Sequence, residues 1–367
     1  MALSTVSPRP GHSTGQSRLP IQPSRSGEKM STIRRQRNGI SSVDALQTLV
    51  SFSTDPHAPP CTMKPRVSGV SLDDLRDERL EQTRQLLAQH GCVLLRSFQV
   101  EGAAMFSSFI KRLAKTSAHY REPATPRTHV HGEVFTSTEY PSDQSIPLHN
   151  ENSHCVAWPM TIAFFCETPA STRGGTPIAD CRGVLKRLSE PLLSEFERRK
   201  IRYIRRFGEG LGFSWQKVFG VDTRQALEAY CVDSAMTPHW TENGLYVTYE
   251  RDAIHRHPLT GERLWFNHGL FFNPASMPDQ MRNELFEQVG AQALPYDTCY
   301  GDGQPFERET LEAIRAAYEA ETRVFEWQTG DVLVLDNMRF AHGREPYTGP
   351  RRILVGMSDD ISTLAGS

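Results

Sequence analysis

The sequence lacks the features of several large protein classes. Its seven cysteines are scattered and include no CxxC pair, so they indicate neither a disulfide framework nor a zinc knuckle. No apolar run approaches the roughly 20 residues of a membrane-spanning helix, and residues 1–52 lack the apolar core of a secretory signal. The 41 basic and 43 acidic residues nearly cancel. These absences predict a cytoplasmic protein with reduced cysteines and with neither nucleic acid nor a membrane as partner.

The first 40 residues differ in composition from the rest of the chain. They contain seven Arg or Lys against one acid, Glu28, and they are rich in Ser, Pro, Gly and Gln, which cannot bury enough surface to fold. We therefore expect a disordered or poorly ordered tail over residues 1–60 and a single domain over 61–367. A transit peptide is the less favoured interpretation because four prolines interrupt any amphipathic helix. Met30 is an alternative start, so the place of residues 1–29 in the mature protein stays open.

The remainder alternates turn residues with short strand-like runs. A helix is expected from Ser71 to Gly91, a strand at Cys92–Leu95 and a helix from Gly102 to Lys115. Many short strand-like runs follow, among them 201–207, 245–249 and 264–266, which favours a barrel or sandwich. Helical patterns between about 181 and 325 are interpreted as insertions packed on the sheet. The predicted class is mainly β with flanking helices (α+β).

Three distant side chains form a candidate metal site. His149 and Glu151 stand two residues apart, so in an extended strand both would point to the same side. His342 follows the apolar run 330–337, which is expected to end in a turn. Two imidazoles and one carboxylate on one face of an octahedral ion suit Fe(II) and leave three positions open for a bidentate co-substrate and O2.

An arginine and a threonine complete the expected site. Arg352, at the start of a strand, could pair with the distal carboxylate of 2-oxoglutarate, and Thr176 could donate a hydroxyl to the same group.

With these residues the sequence resembles the TauD/TfdA family of Fe(II)/2-oxoglutarate dioxygenases over about residues 70 to 360. It is most similar to the branch that hydroxylates amino acids in non-ribosomal peptide biosynthesis, the syringomycin-type hydroxylases. The matching segments are 146–151, 174–180, 265–267, 300–303, 330–333, 341–344 and 351–352. The resemblance implies a double-stranded β-helix (jelly roll), with His149, Glu151 and His342 as iron ligands and with Thr176 and Arg352 holding 2-oxoglutarate.

The resemblance also limits which substrates and reactions are expected. Sulfonate-binding members carry a second arginine where this chain has Gly356, which argues against a taurine-like substrate. Halogenases of this architecture have a small residue in place of the carboxylate, so Glu151 favours hydroxylation. The expected substrate is an amino acid or a derived metabolite, free or tethered to a peptidyl carrier protein, in antibiotic biosynthesis. Desaturation or epoxidation at the same iron and a non-catalytic jelly-roll binding module remain alternatives, and the oligomeric state is not predicted.

Further polar residues are candidates for substrate contacts. Four are singled out, namely Glu139, Asn152, Arg206 and Asn267. His268 stands where this branch more often carries Gln. A loop that begins near Thr116 and ends near Ser145 is expected to cover the active site. Within it His129, His131 and Glu133 alternate as strand ligands would, so they form a rival metal cluster. Metalloprotease and zinc-deaminase motifs are incomplete here.

Overall fold

A computed structural model describes residues 50–53, 60–114, 116, 122, 127–208, 212–242, 244–277, 279–290 and 294–362. The strands are β1 (Val50–Ser53), β2 (Cys61–Pro65), β3 (Cys92–Leu95), β4 (His129–His131), β5 (Val134–Thr136), β6 (Ile146–His149), β7 (Ala157–Thr168), β8 (Thr172–Arg173), β9 (Ile178–Asp180), β10 (Ile201–Phe207), β11 (Thr237–Thr241), β12 (Gly244–Arg251), β13 (Ile254–Arg256), β14 (Arg263–Trp265), β15 (Tyr296–Tyr300), β16 (Thr322–Arg323), β17 (Val332–Asp336), β18 (Phe340–Arg344), β19 (Tyr347–Thr348) and β20 (Arg352–Ser362). The α-helices are α1 (Asp77–His90), α2 (Gly102–Leu113), α3 (Cys181–Arg187), α4 (Glu190–Arg199), α5 (Trp215–Phe219), α6 (Arg224–Asp233), α7 (Gly269–Phe272), α8 (Asp279–Val289) and α9 (Arg308–Glu321).

Two sheets form the centre of the fold. The larger has eight strands in the order β1-β2-β3-β17-β7-β20-β5-β4, and the smaller has the order β16-β9-β18-β6. All pairs in them are antiparallel except β2 with β3. Phe164 and Leu333 of the larger sheet share one buried apolar cluster with Ile178 and Phe340 of the smaller sheet. Two sheets closed over an apolar layer are the jelly-roll arrangement that the sequence predicted.

The larger sheet is apolar on both faces, because its strands are covered on both sides. In β17, Leu333 and Leu335 belong to the inner cluster, whereas Val332 and Val334 pack in a second cluster with residues of α1 and α2. Successive side chains of a strand point to opposite faces, so a strand buried on both sides needs an apolar residue at every position. The unbroken run in β17 therefore identifies the central strand of the fold.

The start of the domain follows the predicted order of elements. Ser71 caps a short 3-10 turn at Leu72–Asp74, and α1 begins only at Asp77. Gly91 ends α1 with a φ of +76°, and a Cβ there would come within 2.6 Å of the Phe340 ring. The strand at Cys92–Leu95 is confirmed, and the next helix ends at Leu113 instead of Lys115.

The insertion between β9 and β16 contains helices, as expected, and also the strands expected at 201–207, 245–249 and 264–266, which correspond to β10, β12 and β14. Besides α3 to α9 it carries a four-stranded antiparallel sheet, β11-β12-β10-β15, and the hairpin β13-β14. Alternate residues of β10 are buried, among them Tyr203 and Arg205. Its aromatic residues, such as Phe196 and Trp265, belong to one large apolar cluster that also contains Trp158 of β7 and Ala341 of β18. The insertion therefore shares an apolar core with the jelly roll.

Most of the expected tail lies outside the described residues. Within that stretch the structure describes Val50–Ser53. These residues form β1, which pairs antiparallel with β2 at the edge of the larger sheet. Six of the seven cysteines are buried and all are free thiols. In the described part of the chain, no helix has the length and apolar character that crossing a bilayer requires.

Candidate iron centre

The two candidate histidine ligands face each other across neighbouring strands. His149 is the last residue of β6 and His342 the third of β18, and the antiparallel register pairs them directly. Their ring centroids are 4.5 Å apart. Each of His149, Glu151 and His342 offers one ligand atom, and these three atoms lie within 4.8 Å of one another. The pairing of β6 with β18 therefore brings together residues that are 193 positions apart in the chain.

Glu151 is held by a turn and not by an extended strand. β6 ends at His149, and Asn152 has a φ of +55° in the turn that follows, a conformation that asparagine tolerates better than most residues. Asn337 fixes this turn from the end of β17: its Oδ1 accepts from the backbone N–H of Glu151 at 2.8 Å. Its Nδ2 donates to the carbonyls of Glu151 and Pro159 at 2.9 and 2.8 Å. Asn337 thus fixes the backbone of the turn that carries the Glu151 carboxylate.

The donor set fits a ferrous ion. The Nδ1 of His149 is 2.9 Å from the Pro147 carbonyl, so this nitrogen carries the proton and Nε2 is left to bind a metal. The buried Nδ1 of His342 has no hydrogen-bond partner among the described residues. Two neutral imidazoles and one carboxylate match the ligands of mononuclear Fe(II) oxygenases.

The surroundings keep both imidazoles neutral. Burial is the main cause that lowers the pKa of His149, and the charge of Arg127 adds to it. The pKa of His342 is lowered further, again chiefly by burial and then by His149 and Arg127. Phe271 stacks on His149 with ring centroids 4.5 Å apart, and Phe164 lies 5.1 Å from His342. Neutral histidines can coordinate a metal without first losing a proton.

An arginine that was not expected from the sequence lines the cavity beside the histidines. Arg351 lines this cavity together with Thr176, His149 and His342. Its Nε donates to the Gly174 carbonyl at 2.9 Å, and burial, followed by the charge of Arg344, lowers its pKa to about 10. The guanidinium therefore remains charged at neutral pH.

Arg352 lies outside this cavity. Its side chain is 51% exposed and forms an ion pair with Glu167. Arg351, directly before β20, lines the cavity together with Ile353 and Val355. The structure therefore places Arg351 and not Arg352 at the cavity, and a role of Arg352 in holding 2-oxoglutarate stays a prediction. Thr176 lies where it was expected, buried, and its hydroxyl accepts from Trp327 Nε1 at 3.0 Å.

Arg127 is a site residue that sequence reasoning missed. Its Nη2 donates to Glu151 Oε2 at 2.7 Å, and it lines the cavity with both histidines. It lies just before β4, and no periodic pattern in the sequence distinguishes it from the other arginines. Only the folded chain shows its place.

The residues expected to contact substrate take different positions. Asn267 uses its amide on the backbone, because Nδ2 donates to the Ala253 carbonyl and Oδ1 accepts from Gly269 N–H. Arg206 donates to the Leu294 carbonyl in the insertion. Neither residue lines the cavity, so their positions do not support those two contacts.

Two further candidates lie closer to the centre. Asn152 is buried in the ligand turn. Glu139 is exposed and accepts from Thr128 and Thr136, whose hydroxyls lower its pKa. It follows Thr138, which lines the cavity. Substrate contacts of Asn152 and Glu139 stay predictions.

The rival metal cluster does not form. His129, His131 and Glu133 are exposed, and His129 Nε2 contacts the Gly132 carbonyl at 2.8 Å. In the part of the chain that the structure describes, only two groups of three such side chains have donor atoms within 4.8 Å of one another. These three residues belong to neither group.

The second such group is Glu122, His154 and Cys155, but its chemistry does not favour a metal. Arg205 and Tyr230 hold the two oxygens of Glu122 at 2.6 and 2.9 Å. Burial, and after it the charge of Glu122, raises the pKa of the Cys155 thiol well above its usual value, so no thiolate is available. This group is therefore a buried ion pair with polar neighbours.

With this geometry established, comparison with known proteins defines the class. Residues 54–358 match the model of the taurine catabolism dioxygenase TauD, TfdA family, so the chain belongs to that family. It is an Fe(II)- and 2-oxoglutarate-dependent dioxygenase, as the resemblance predicted.

Individual relatives agree with this class. The dapdiamide synthesis protein DdaC of Enterobacter agglomerans is 36% identical over 76% of this chain and 84% of its own length. A clavaminate synthase-like protein of Arabidopsis thaliana is 30% identical over 74% of this chain and 82% of its own. A solved structure of PvcB from Pseudomonas aeruginosa has a TM-score of 0.52 at 14% identity, and covers 84% of this chain and 91% of that one. That similarity shows the fold alone.

Proposed function

We propose that this protein hydroxylates an unactivated C–H bond of an amino acid or of a small molecule derived from one, in the biosynthesis of a secondary metabolite. The observation that carries the proposal is the convergence of His149, Glu151 and His342 beside a cavity that ends at Thr176 and Arg351. The relation to a dapdiamide synthesis protein supports the biosynthetic setting. A cytoplasmic location and a carrier-tethered form of the substrate belong to the same proposal.

The residues of the chain have separate tasks in this reaction. His149, Glu151 and His342 would hold Fe(II) on one face. Arg351 and Thr176 would bind the distal carboxylate of 2-oxoglutarate, since a guanidinium in an enclosed site pairs with a carboxylate through two charge-assisted hydrogen bonds. The apolar side chains of Phe164, Ile353 and Val355 in the same cavity exclude water.

When bound, Fe(II) supplies the oxidising chemistry, in which 2-oxoglutarate, O2 and the C–H substrate become succinate, CO2 and the C–OH product. The carboxylate of Glu151 fills the position that a halogenase leaves for chloride, which supports hydroxylation as the outcome. The protein's contribution is to position one C–H bond and to keep others away.

The test begins with anaerobic addition of Fe(II) and 2-oxoglutarate, followed by a screen of amino acids for a shift of the metal-to-ligand absorption band. Admission of O2 to the responding mixtures, with product masses, then identifies the reaction. Hydroxylation adds one oxygen, epoxidation adds one oxygen across a double bond, and desaturation removes two hydrogens. Repeating the assay with aminoacyl carrier proteins distinguishes a tethered substrate from a free one. The proposal fails if no amino acid, free or tethered, shifts the band or stimulates succinate formation.

A further inference from the structure

One buried ion pair joins the candidate metal ligand to a residue with no assigned task. Arg127 Nη2 lies 2.7 Å from Glu151 Oε2, and the two side chains are only 5% and 8% exposed. Burying a charge costs free energy unless an opposite charge is paired with it, so burial holds these two side chains in contact. The pair lies in the cavity shared by His149, His342 and Arg351.

A second buried ion pair lies nearby in the sequence. Glu122, five residues before Arg127, is bound by Arg205 at 2.6 Å, with exposures of 2% and 0%. The hydroxyl of Tyr230 donates to its other oxygen at 2.9 Å. After Arg127 the chain enters β4, which pairs with β5. The pairing of β4 with β5 therefore holds the chain that follows Arg127.

The ion pair affects how many coordination positions of the metal ion the carboxylate can occupy. An octahedral ion that is held by two imidazoles and one carboxylate oxygen has three positions left. A chelating 2-oxo acid needs two of them, and O2 needs the third. If both oxygens of Glu151 bound the ion, only two positions would remain and O2 would have none.

We propose that Arg127 is a positioning residue that keeps Glu151 a one-oxygen ligand: it holds Oε2, leaves Oε1 for the ion and so preserves the position for O2. This inference rests on the proposed iron centre and goes beyond it, because it assigns a task to a residue that does not itself bind metal. Loss of Arg127 would therefore slow the reaction with O2 and leave the binding of 2-oxoglutarate nearly unchanged.

The experiment compares Arg127→Met, Arg127→Gln and Arg127→Lys with the control Arg198→Gln, which removes an exposed arginine of α4 outside the cavity. Three quantities are measured on each protein. The first is the coordination number from the ligand-field spectrum of the Co(II) protein. The second is the Kd for 2-oxoglutarate from the anaerobic Fe(II) band, and the third is the rate at which O2 bleaches that band.

We expect the Co(II) spectra of Arg127→Met and Arg127→Gln to change shape, because Glu151 then offers both oxygens. Bleaching by O2 should slow on the order of ten- to a hundredfold, while the Kd for 2-oxoglutarate changes less than about threefold, since Arg351 and Thr176 remain. Arg127→Lys retains a charge and a donor, so it should recover part of the rate. Arg127→Gln carries the same test if Arg127→Met does not fold.

The inference is overturned if the neutral variants match Arg198→Gln in both the Co(II) spectrum and the bleaching rate. It is also overturned if the Kd for 2-oxoglutarate rises as much as the rate falls, because Arg127 would then be a co-substrate contact. Failure of the proposed function looks different: the unmodified protein would then form no absorption band with Fe(II) and 2-oxoglutarate.

Discussion

His149 and His342 are direct cross-strand partners at the pairing of β6 with β18, with ring centroids 4.5 Å apart. A metal site built on a strand pair is positioned by the hydrogen bonds of the sheet and not by loop conformation. A shift of one residue in this register would turn one imidazole to the other face. The smaller sheet therefore positions the two imidazoles, while the turn after β6 positions Glu151.

The first prediction concerns the ligands. His149→Ala and His342→Ala should abolish the absorption band of the Fe(II)·2-oxoglutarate mixture, because each leaves a single imidazole, whereas Glu151→Ala keeps both. Glu151→Ala should retain a weakened band and respond to added chloride, since it opens one coordination position. Anaerobic titration measures all three variants. Normal turnover by either histidine variant would show that the ligands have been misassigned.

The second prediction separates two adjacent arginines. Arg351→Gln should raise the KM for 2-oxoglutarate on the order of a hundredfold, which corresponds to loss of about 3 kcal/mol of charge-assisted hydrogen bonding. Arg352→Gln should leave the KM within about twofold, because an exposed ion pair such as that with Glu167 contributes little. Steady-state succinate formation measures both. A larger rise in KM for Arg352→Gln than for Arg351→Gln would support Arg352 as the residue that binds 2-oxoglutarate.

The third prediction concerns the turn that carries Glu151. Asn337→Ala removes three buried hydrogen bonds to the backbone of Glu151 and Pro159, so the free energy of unfolding should fall by about 3 kcal/mol. Fe(II) should also bind more weakly, since the carboxylate loses its support. Urea unfolding of the metal-free protein and metal titration measure the two effects.

Asn283→Ala, at an exposed position of α8, is the matched control for this prediction and should change the free energy of unfolding by less than about 0.5 kcal/mol. Equal stabilities of Asn337→Ala and Asn283→Ala would mean that the turn holds its shape without the Asn337 amide.

The fourth prediction is a pH dependence of stability. Burial is the first cause that lowers the pKa of His154 and of His268 well below the usual 6.5. Below that usual value the unfolded chain binds protons that the folded chain does not, so stability falls as the pH drops from about 6.5 toward the folded pKa values. Each histidine contributes up to about 1.4 kcal/mol per pH unit in that range.

Urea unfolding of the metal-free protein between pH 7 and pH 5 measures this slope, and His268→Gln should reduce it. His239→Gln, at a half-buried histidine of the insertion that contacts Thr248, is the comparison. A slope unchanged by His268→Gln would show that His268 is protonated in the folded protein.

Several parts of the fold and site could be read from the chain because they depend on local pattern. The strand at Cys92–Leu95, the apolar run of β17 and the helix end at Gly91 follow from apolar spacing and from the freedom of glycine at positive φ. In the insertion the strand at 201–207 was predicted and is β10, but its sequence does not show that Arg205 is buried, because arginines in folded proteins are mostly exposed.

The sequence by itself determined the class of protein, because the iron ligands and Thr176 occur in ordered blocks whose residue types prescribe their chemistry. Only the tertiary structure decided which arginine enters the cavity and which side chain holds Glu151. Arg351 and Arg352 are chemically identical neighbours at the start of β20, and which of them reaches the cavity depends on how the chain pairs across the sheet there. The contact between Arg127 and Glu151 likewise depends on where two distant segments meet in space, which no local pattern records.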